Sequence, residues 1–377
     1  MSTPGPLAGL LVADFSRVLA GPFAAMMLAD LGARVIKVER PGTGDDSRTY
    51  GPFLDGRSLY FARVNRGKES IALDLKDPGD LAVARRLLAS ADVLVENYRP
   101  GVMERLGLGW EQARALNPRL VYCSVSGFGH TGPWRERPAY DAVVQGMSGI
   151  MSVTGSADGP PIKPGVPVAD LAAGLYAFGG ITSALLGRSA TGVGTHLDIA
   201  MYDATVSLLE GAALSWLATG IDPGRIGNAH FAIAPFDTFG CADGDITICA
   251  ANDVLFAVLV TALGLPRLAT DPRFLTNARR HSDRAVLKAE LEAVLRTAPS
   301  AHWLGVLEAA GVPCGPISDV AAAVGSEQAR VRNMVVDAGG LPVPGNPVKA
   351  SAYDDPATRP AAPELDEHGA GVRAEFG

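Results

Sequence analysis

The chain has 377 residues, 47% of them hydrophobic, and a formal net charge of −7. That length suits two domains, or one large α/β domain carrying an insertion. The acidic balance argues against nucleic acid as a partner, because backbone phosphates demand clustered Lys and Arg, whereas a phosphate-bearing small molecule needs only a few local cations.

Residues 10–14 are a short apolar run that reads as a buried strand. The spacing predicts a helix over 22–31, with Pro22 near its first position. Residues 35–39 and 70–74 read as the second and third strands. Asp77-Pro78 opens a helix to residue 90, and a strand follows at 93–96. A helix over 110–116 leads to a strand over 120–125 that runs out at Gly127-Phe-Gly129. Strand and helix alternating in this way imply an α/β domain with right-handed crossovers and a mostly parallel sheet. Ligands then sit beyond the carboxyl ends of the strands.

Residues 140–187 read as two helices joined by a Pro-rich link at 159–164. The apolar run 171–187 holds four glycines and is short for a membrane span, so it reads as a buried helix. A strand at 196–200 precedes one long apolar helix over 201–220 and a break at 221–224. After the break come a strand pair within 239–250 and helices at 253–263, 283–296 and 300–310. A helix over 324–334 and an extended, Pro-rich stretch over 340–363 complete the chain.

The general motifs exclude more than they assign. Cys123, Cys241, Cys249 and Cys314 show no C-x-x-C spacing, which suits a reduced, cytoplasmic protein. The six histidines form no metal signature, so no metal is expected. Asp14 and Arg17 interrupt the first apolar stretch, which argues against a signal peptide. Gly127-Phe-Gly129-His-Thr-Gly132 matches G-x-G-x-x-G, but Pro133-Trp134 follows instead of a helix, so it reads as a strand-exit loop. Asp170 stands out because a proline-braked turn feeds it into an apolar helical run. By position alone such an Asp is an N-cap. The same position lets the helix dipole and free N–H groups keep a carboxylate ionised while a loop leaves it open to a ligand.

Ten segments, taken together and in order, point further. They are Ser16-Arg-Val-Leu-Ala-Gly-Pro22, Val35-Ile-Lys-Val-Glu-Arg-Pro41, Asn65-Arg-Gly-Lys68, Val95-Glu-Asn-Tyr-Arg-Pro-Gly101, Ser126-Gly-Phe-Gly129, Arg137-Pro-Ala-Tyr-Asp141, Asp170-Leu-Ala-Ala-Gly174, Ile233-Ala-Pro235, Gly311-Val-Pro-Cys-Gly-Pro316 and Gly345-Asn-Pro-Val-Lys349. From about residue 7 to 368 the chain resembles the family III CoA-transferases, the formyl-CoA transferase and carnitine CoA-transferase family.

The resemblance implies a Rossmann-like large domain built from both chain ends (1–205 and 325–377). It implies a small α+β domain at 222–320, linkers at 206–221 and 321–324, and two subunits interlocked as a homodimer. It makes Asp170 the covalent nucleophile. The carboxylate attacks an acyl-CoA thioester, giving a mixed anhydride and CoA thiolate. The thiolate then attacks the aspartyl carbonyl, giving an aspartyl-CoA thioester, and the acceptor acid reverses the sequence. No tightly bound cofactor is implied; the CoA thioester is a substrate. CoA contacts would come from Arg40, Glu96, Asn97, Tyr98 and Arg99, with Lys68 and Arg105 as further candidates, since Arg suits both phosphate and adenine. Leu19, Tyr140, His230 and Asn252 would line the cleft.

Two departures bear on the substrate. Formyl-CoA transferases carry Gln where this chain has Leu19, and a glycine-rich loop where it has Ala250-Ala-Asn-Asp253, so neither formate nor oxalate is the expected acceptor. The segments around Asp170 and Gly227-Asn-Ala-His230 look closer to members that move CoA from succinyl-CoA to dicarboxylic acids. A distal carboxylate needs a cation, for which Arg48, Arg225 and Lys163 are candidates. The racemase branch of the family, which moves an α-proton between a His and an Asp, carries Gly-His-Asp where this chain has Ala139-Tyr140-Asp141. CoA transfer to a carboxylic acid is the expected reaction, with 2-methylacyl-CoA racemisation as the alternative.

Overall fold

The strand exits near the N-terminus define the architecture. The computed structural model describes residues 5–377. Six strands form one parallel sheet: β1 (Leu11–Asp14), β2 (Arg34–Glu39), β3 (Lys68–Ala72), β4 (Val93–Glu96), β5 (Val121–Ser126) and β6 (Thr195–Ala200). Their order is β3-β2-β1-β4-β5-β6, all neighbours parallel. The chain winds outward one way from β1 and the other way from β4, so a crevice opens between those two carboxyl ends.

Helices cover both faces. On one side α1 (Ala20–Asp30) and α6 (Val168–Thr191) pack with Val12, Val35, Val93, Val95, Val121 and Val125. On the other, α3 (Pro78–Ser90) and α4 (Trp110–Leu116) bury Leu87, Leu88 and Ala113 against Ile36, Leu94 and Tyr122. Asp77 caps α3 by accepting the N–H groups of Gly79 and Asp80, with Pro78 at the first helical position. The short α2 (Leu59–Asn65) starts at Ser58, whose hydroxyl accepts the Phe61 N–H. α5 (Asp141–Met147) precedes α6.

α6 is long and apolar enough to cross a membrane by length and composition. In the fold its alanine face, Ala169, Ala172, Ala173 and Ala177, is buried in the core with α1. Gly174 makes that contact close. A Cβ there would lie 2.9 Å from the Ala20 carbonyl oxygen and 2.8 Å from the Phe23 ring. Asp170 lies one turn earlier on the same face, so the glycine brings it beside the start of α1.

The chain divides into two compact units. One holds the described residues up to Met151, with Lys163–Ala213 and Val324–Gly377; the other is Ser152–Ile162 with Leu214–Ala323. The second unit has its own core around an antiparallel sheet of β7 (Phe236–Gly240), β8 (Asp245–Cys249) and β9 (Cys314–Pro316), ordered β9-β8-β7. In the first unit the tail returns as a helix, α7 (Gly369–Phe376), whose Val372 and Phe376 enter the core beside α3.

Several local expectations change. The strand expected at 70–74 is β3, two residues earlier. The single helix expected over 201–220 is two, Met201–Ser207 and Glu210–Thr219, interrupted where Glu210 takes a φ of +30°. Most of the expected 206–221 linker is therefore helical. The helix expected over 324–334 is likewise two short turns, Val320–Gly325 and Glu327–Val331.

Candidate active site

The loop after β1 is held from several sides. Asp14 accepts the Ser16 N–H at 2.9 Å and pairs with buried Lys68 at 2.8 Å. Lys37 donates to the Ser16 carbonyl at 2.8 Å and pairs with Asp45 at 2.9 Å. Both oxygens of Asp45 accept the Val18 N–H at 3.1 Å. Asn97, from the loop after β4, grips Arg17 twice, accepting its N–H at 2.8 Å and donating to its carbonyl at 2.7 Å. The result is a valine at φ +68°, a left-handed conformation that a β-branched residue resists.

These charges are all buried. Burial pushes Asp14 up, but Lys68 and Lys37 outweigh it and hold the carboxyl below its usual value. Burial likewise opposes ionised Asp45, and Lys37 overcomes it, holding Asp45 at about 2. Asp45→Asn would remove the carboxylate that Lys37 pairs with and leave a single oxygen to hold the Val18 N–H. It is expected to cost about 3 kcal/mol, read as a lowered urea midpoint. Adding Val18→Gly should recover part of that loss, since glycine adopts positive φ freely; a double variant no more stable than Asp45→Asn would mean the valine is not strained.

This loop forms one wall of a cavity of about 180 Å³ that also holds Asn97, Tyr98, Arg99, Ser126, Tyr140 and Asp170. Leu19 is buried at its wall as the N-cap residue of α1. Tyr140 stands at the rim, 74% exposed. Asp170 is not the cap of α6; Pro167 is, and Asp170 falls inside the first turn. Asp141 does the capping instead. Its Oδ1 accepts the Ala169 N–H at 2.9 Å and, more weakly, that of Asp170 at 3.4 Å, while Oδ2 accepts from Gln145 at 2.6 Å.

This reverses the expectation that free helix N–H groups keep Asp170 ionised, because a second carboxylate occupies them. Burial and then the like charge of Asp141 push Asp170 up to about 7, with Arg63 on α2 pulling the other way. Neither Asp141 nor Arg63 was singled out from the sequence. A signal for Asp141 was present, an acid opening a helix with Gln145 one turn on; Arg63 gave none.

The expected CoA residues divide. Asn97, Tyr98 and Arg99 line the cavity, with Arg17 lying 5.5 Å over the Tyr98 ring. Arg40 is exposed, shares Asp46 with Arg17, and lines a smaller adjoining cavity of about 140 Å³ with Tyr98. Glu96 is buried and accepts the Tyr98 N–H at 2.8 Å, which shapes the loop; burial pushes its carboxyl up to about 7, and it is not among the residues lining the cavity. Lys68 must be corrected outright. Its ammonium is enclosed and spends its three protons on Asp14, the Pro22 carbonyl and Asn65, leaving none for a phosphate. Arg105 is exposed on the short helix Val102–Arg105 and is not among the residues lining the cavity.

His230 and Asn252 belong to the second unit, where each has a local task. The His230 Nδ1 accepts the N–H groups of Ala232 and Ile233, and Asn252 caps the helix Asp253–Ala262 through the Leu255 N–H. The cations expected for a distal carboxylate are also engaged. Arg48 pairs with Glu39 at 2.7 Å, Arg225 donates to the Gly159 carbonyl at 2.7 Å, and Lys163 donates to the Pro164 carbonyl at 3.2 Å. Among the described residues no group of three or more His, Cys, Asp or Glu side chains is placed to hold a metal ion.

Residues 7–369 match the profile of CoA-transferase family III. The chain belongs to this family. It is 54% identical over 373 residues to the acetyl-CoA:oxalate CoA-transferase of Acetobacter aceti, covering 99% of this chain and 96% of that one. It is 41% identical over 369 residues to the succinyl-CoA:glutarate CoA-transferase of Mus musculus, covering 96% and 84%. A crystal structure of a CaiB/BaiF family protein from Brucella suis superposes with a TM-score of 0.89 at 44% identity, covering all of both chains. This family III CoA-transferase is therefore an enzyme that acts on CoA thioesters.

Proposed function

We propose that this CoA-transferase moves CoA from succinyl-CoA or acetyl-CoA to a dicarboxylic acid by way of aspartyl anhydride and aspartyl-CoA thioester intermediates on Asp170. The observation that carries the reading is a carboxyl at the wall of a cavity lined by arginine-bearing switch-point loops. Asp170 supplies the nucleophile without a general base. Leu19 and Ala20, at the N-terminus of α1, supply backbone N–H groups for the developing oxyanion. Arg17, Arg40 and Arg99 take the nucleotide end of CoA. The names of the relatives support a dicarboxylate acceptor: glutarate fits the sequence reading, while oxalate runs against the expectation drawn from Leu19.

The working form is a homodimer. Leu175, Tyr176 and Leu208 form part of an apolar surface on the outer side of α6, suited to a second copy of the chain. Racemisation is disfavoured because Tyr140 stands where that branch has its histidine. The test is a competition assay offering each donor with mono- and dicarboxylic acids and weighing the CoA esters formed. Dicarboxyl-CoA products support the proposal; α-proton exchange without ester exchange would sink it.

A further inference from the structure

Arg63 carries a charge that forms no salt bridge among the described residues. Its Nε and Nη2 are closed to solvent and have no hydrogen-bond partner. The guanidinium instead lies over the Tyr60 ring at 3.7 Å. Its cationic neighbours are treated differently: Lys37 pairs with Asp45, Arg48 with Glu39, Arg66 with Asp30 at 2.6 Å, and Lys68 with Asp14. A buried donor without an acceptor loses its hydration for nothing in return, so the two unpartnered donors of Arg63 are a place where an anion would be stabilised.

Arg63 is not itself among the residues lining the Asp170 cavity, but its helix borders the wall of that cavity. Its neighbour Val64 clusters with Leu19, a wall of the Asp170 cavity, and Leu171, the residue after Asp170, packs on that cluster. Tyr60, beneath the guanidinium, stands edge-on to Tyr50 at 5.4 Å. The Arg63 charge is near enough to draw the Asp170 carboxyl down against burial and Asp141. Of the other cations considered for this task, Arg48 is paired with Glu39, Arg225 is bound to the Gly159 carbonyl, and Lys163 is exposed.

We propose that Arg63 binds the second carboxylate of a dicarboxylic acid whose first carboxylate reacts at Asp170. The inference rests on the transfer function above and adds a residue that selects the acid. The guanidinium fork suits a carboxylate, and the pair is a charge-assisted one in a site poor in water. The fork must swing off the Tyr60 ring to reach it, a rotamer change of the kind common on binding. In a double-displacement exchange the donor's acyl group and the acceptor occupy one place in turn. Arg63 therefore also favours succinyl over acetyl as the group carried in. A site built to hold a polar group discriminates strongly against analogues that lack it, because its own group is then left unpaired.

The test compares wild type, Arg63→Met and Arg63→Lys with acetyl-CoA as donor and oxalate, glutarate or acetate as acceptor. The ratio of kcat/KM for the better dicarboxylate to that for acetate is expected to fall at least ~30-fold in Arg63→Met and to recover partly in Arg63→Lys. Should Arg63→Met fail to fold, Arg63→Gln gives the same reading. Equal losses for all acceptors would make Arg63 structural and overturn the proposal. So would an unchanged ratio accompanied by a weakened dimer in sedimentation, which would place the missing anion in the second subunit. Aspartyl-CoA formation from acetyl-CoA alone is followed in parallel in wild type; its absence there would defeat the transfer chemistry itself, whatever Arg63 does.

Discussion

Asp170→Asn is expected to abolish CoA transfer, by ~10³-fold or more in kcat, while making the protein harder to unfold at pH 8. The two effects share one cause. The carboxyl is carried into a buried site facing Asp141, and its pKa rises from 3.8 to about 7. For a carboxyl whose folded value lies above its unfolded value, ionisation opposes folding. The penalty is absent below about pH 4, builds as the pH rises towards 7, and is complete above it. The amide keeps the shape and drops the charge. Its gain in urea midpoint over wild type should therefore be present at pH 8 and absent at pH 4. An equal gain at both would mean Asp170 ionises as freely in the folded chain as in the unfolded one. CoA binding, which the proposed function places on the loops after β1, β2 and β4, should persist in the variant.

The pH dependence of the first half-reaction is the second large effect. Only the carboxylate attacks the thioester, so kcat/KM for the acyl-CoA should fall tenfold per pH unit below about pH 7, the value to which burial and Asp141 push Asp170. Asp141→Asn removes the like charge and should move the midpoint down by about one pH unit. The substitution preserves the local structure. The Asn oxygen still accepts the Ala169 N–H. Its new amide meets Gln145, whose Oε1 has no partner at present and becomes an acceptor when that side chain turns over. A midpoint that stays in place would show that Asp141 does not set the ionisation of the nucleophile.

The parallel sheet was legible because its strands are short apolar runs ending in polar loops; the spatial order of the strands, and with it the switch point, came only from the fold. Asp170 was legible from its place after a proline turn, but the capping that its position suggested is done by Asp141, some 30 residues earlier. Lys68 shows why local reading fails for charge. In Val35-Ile-Lys-Val-Glu39 and Lys68-Glu-Ser70, charged residues look like strand exits facing water. Here Lys37, Glu39 and Lys68 turn inward and are neutralised by Asp45, Arg48 and Asp14, partners that only the closed sheet brings together. Arg63 was invisible for another reason: α2 has seven residues, too few to show a periodicity that separates one face from another. Its significance is a missing contact, and no string of residues displays that.

The most direct test of covalent transfer is the mass of the Asp170 peptide from enzyme mixed with acyl-CoA, without acceptor, and quenched in acid. The account predicts that peptide increased by the mass of CoA less one water, with the increase lost on adding a dicarboxylic acid and absent from Asp170→Asn. An unmodified peptide from enzyme that is turning over would contradict it.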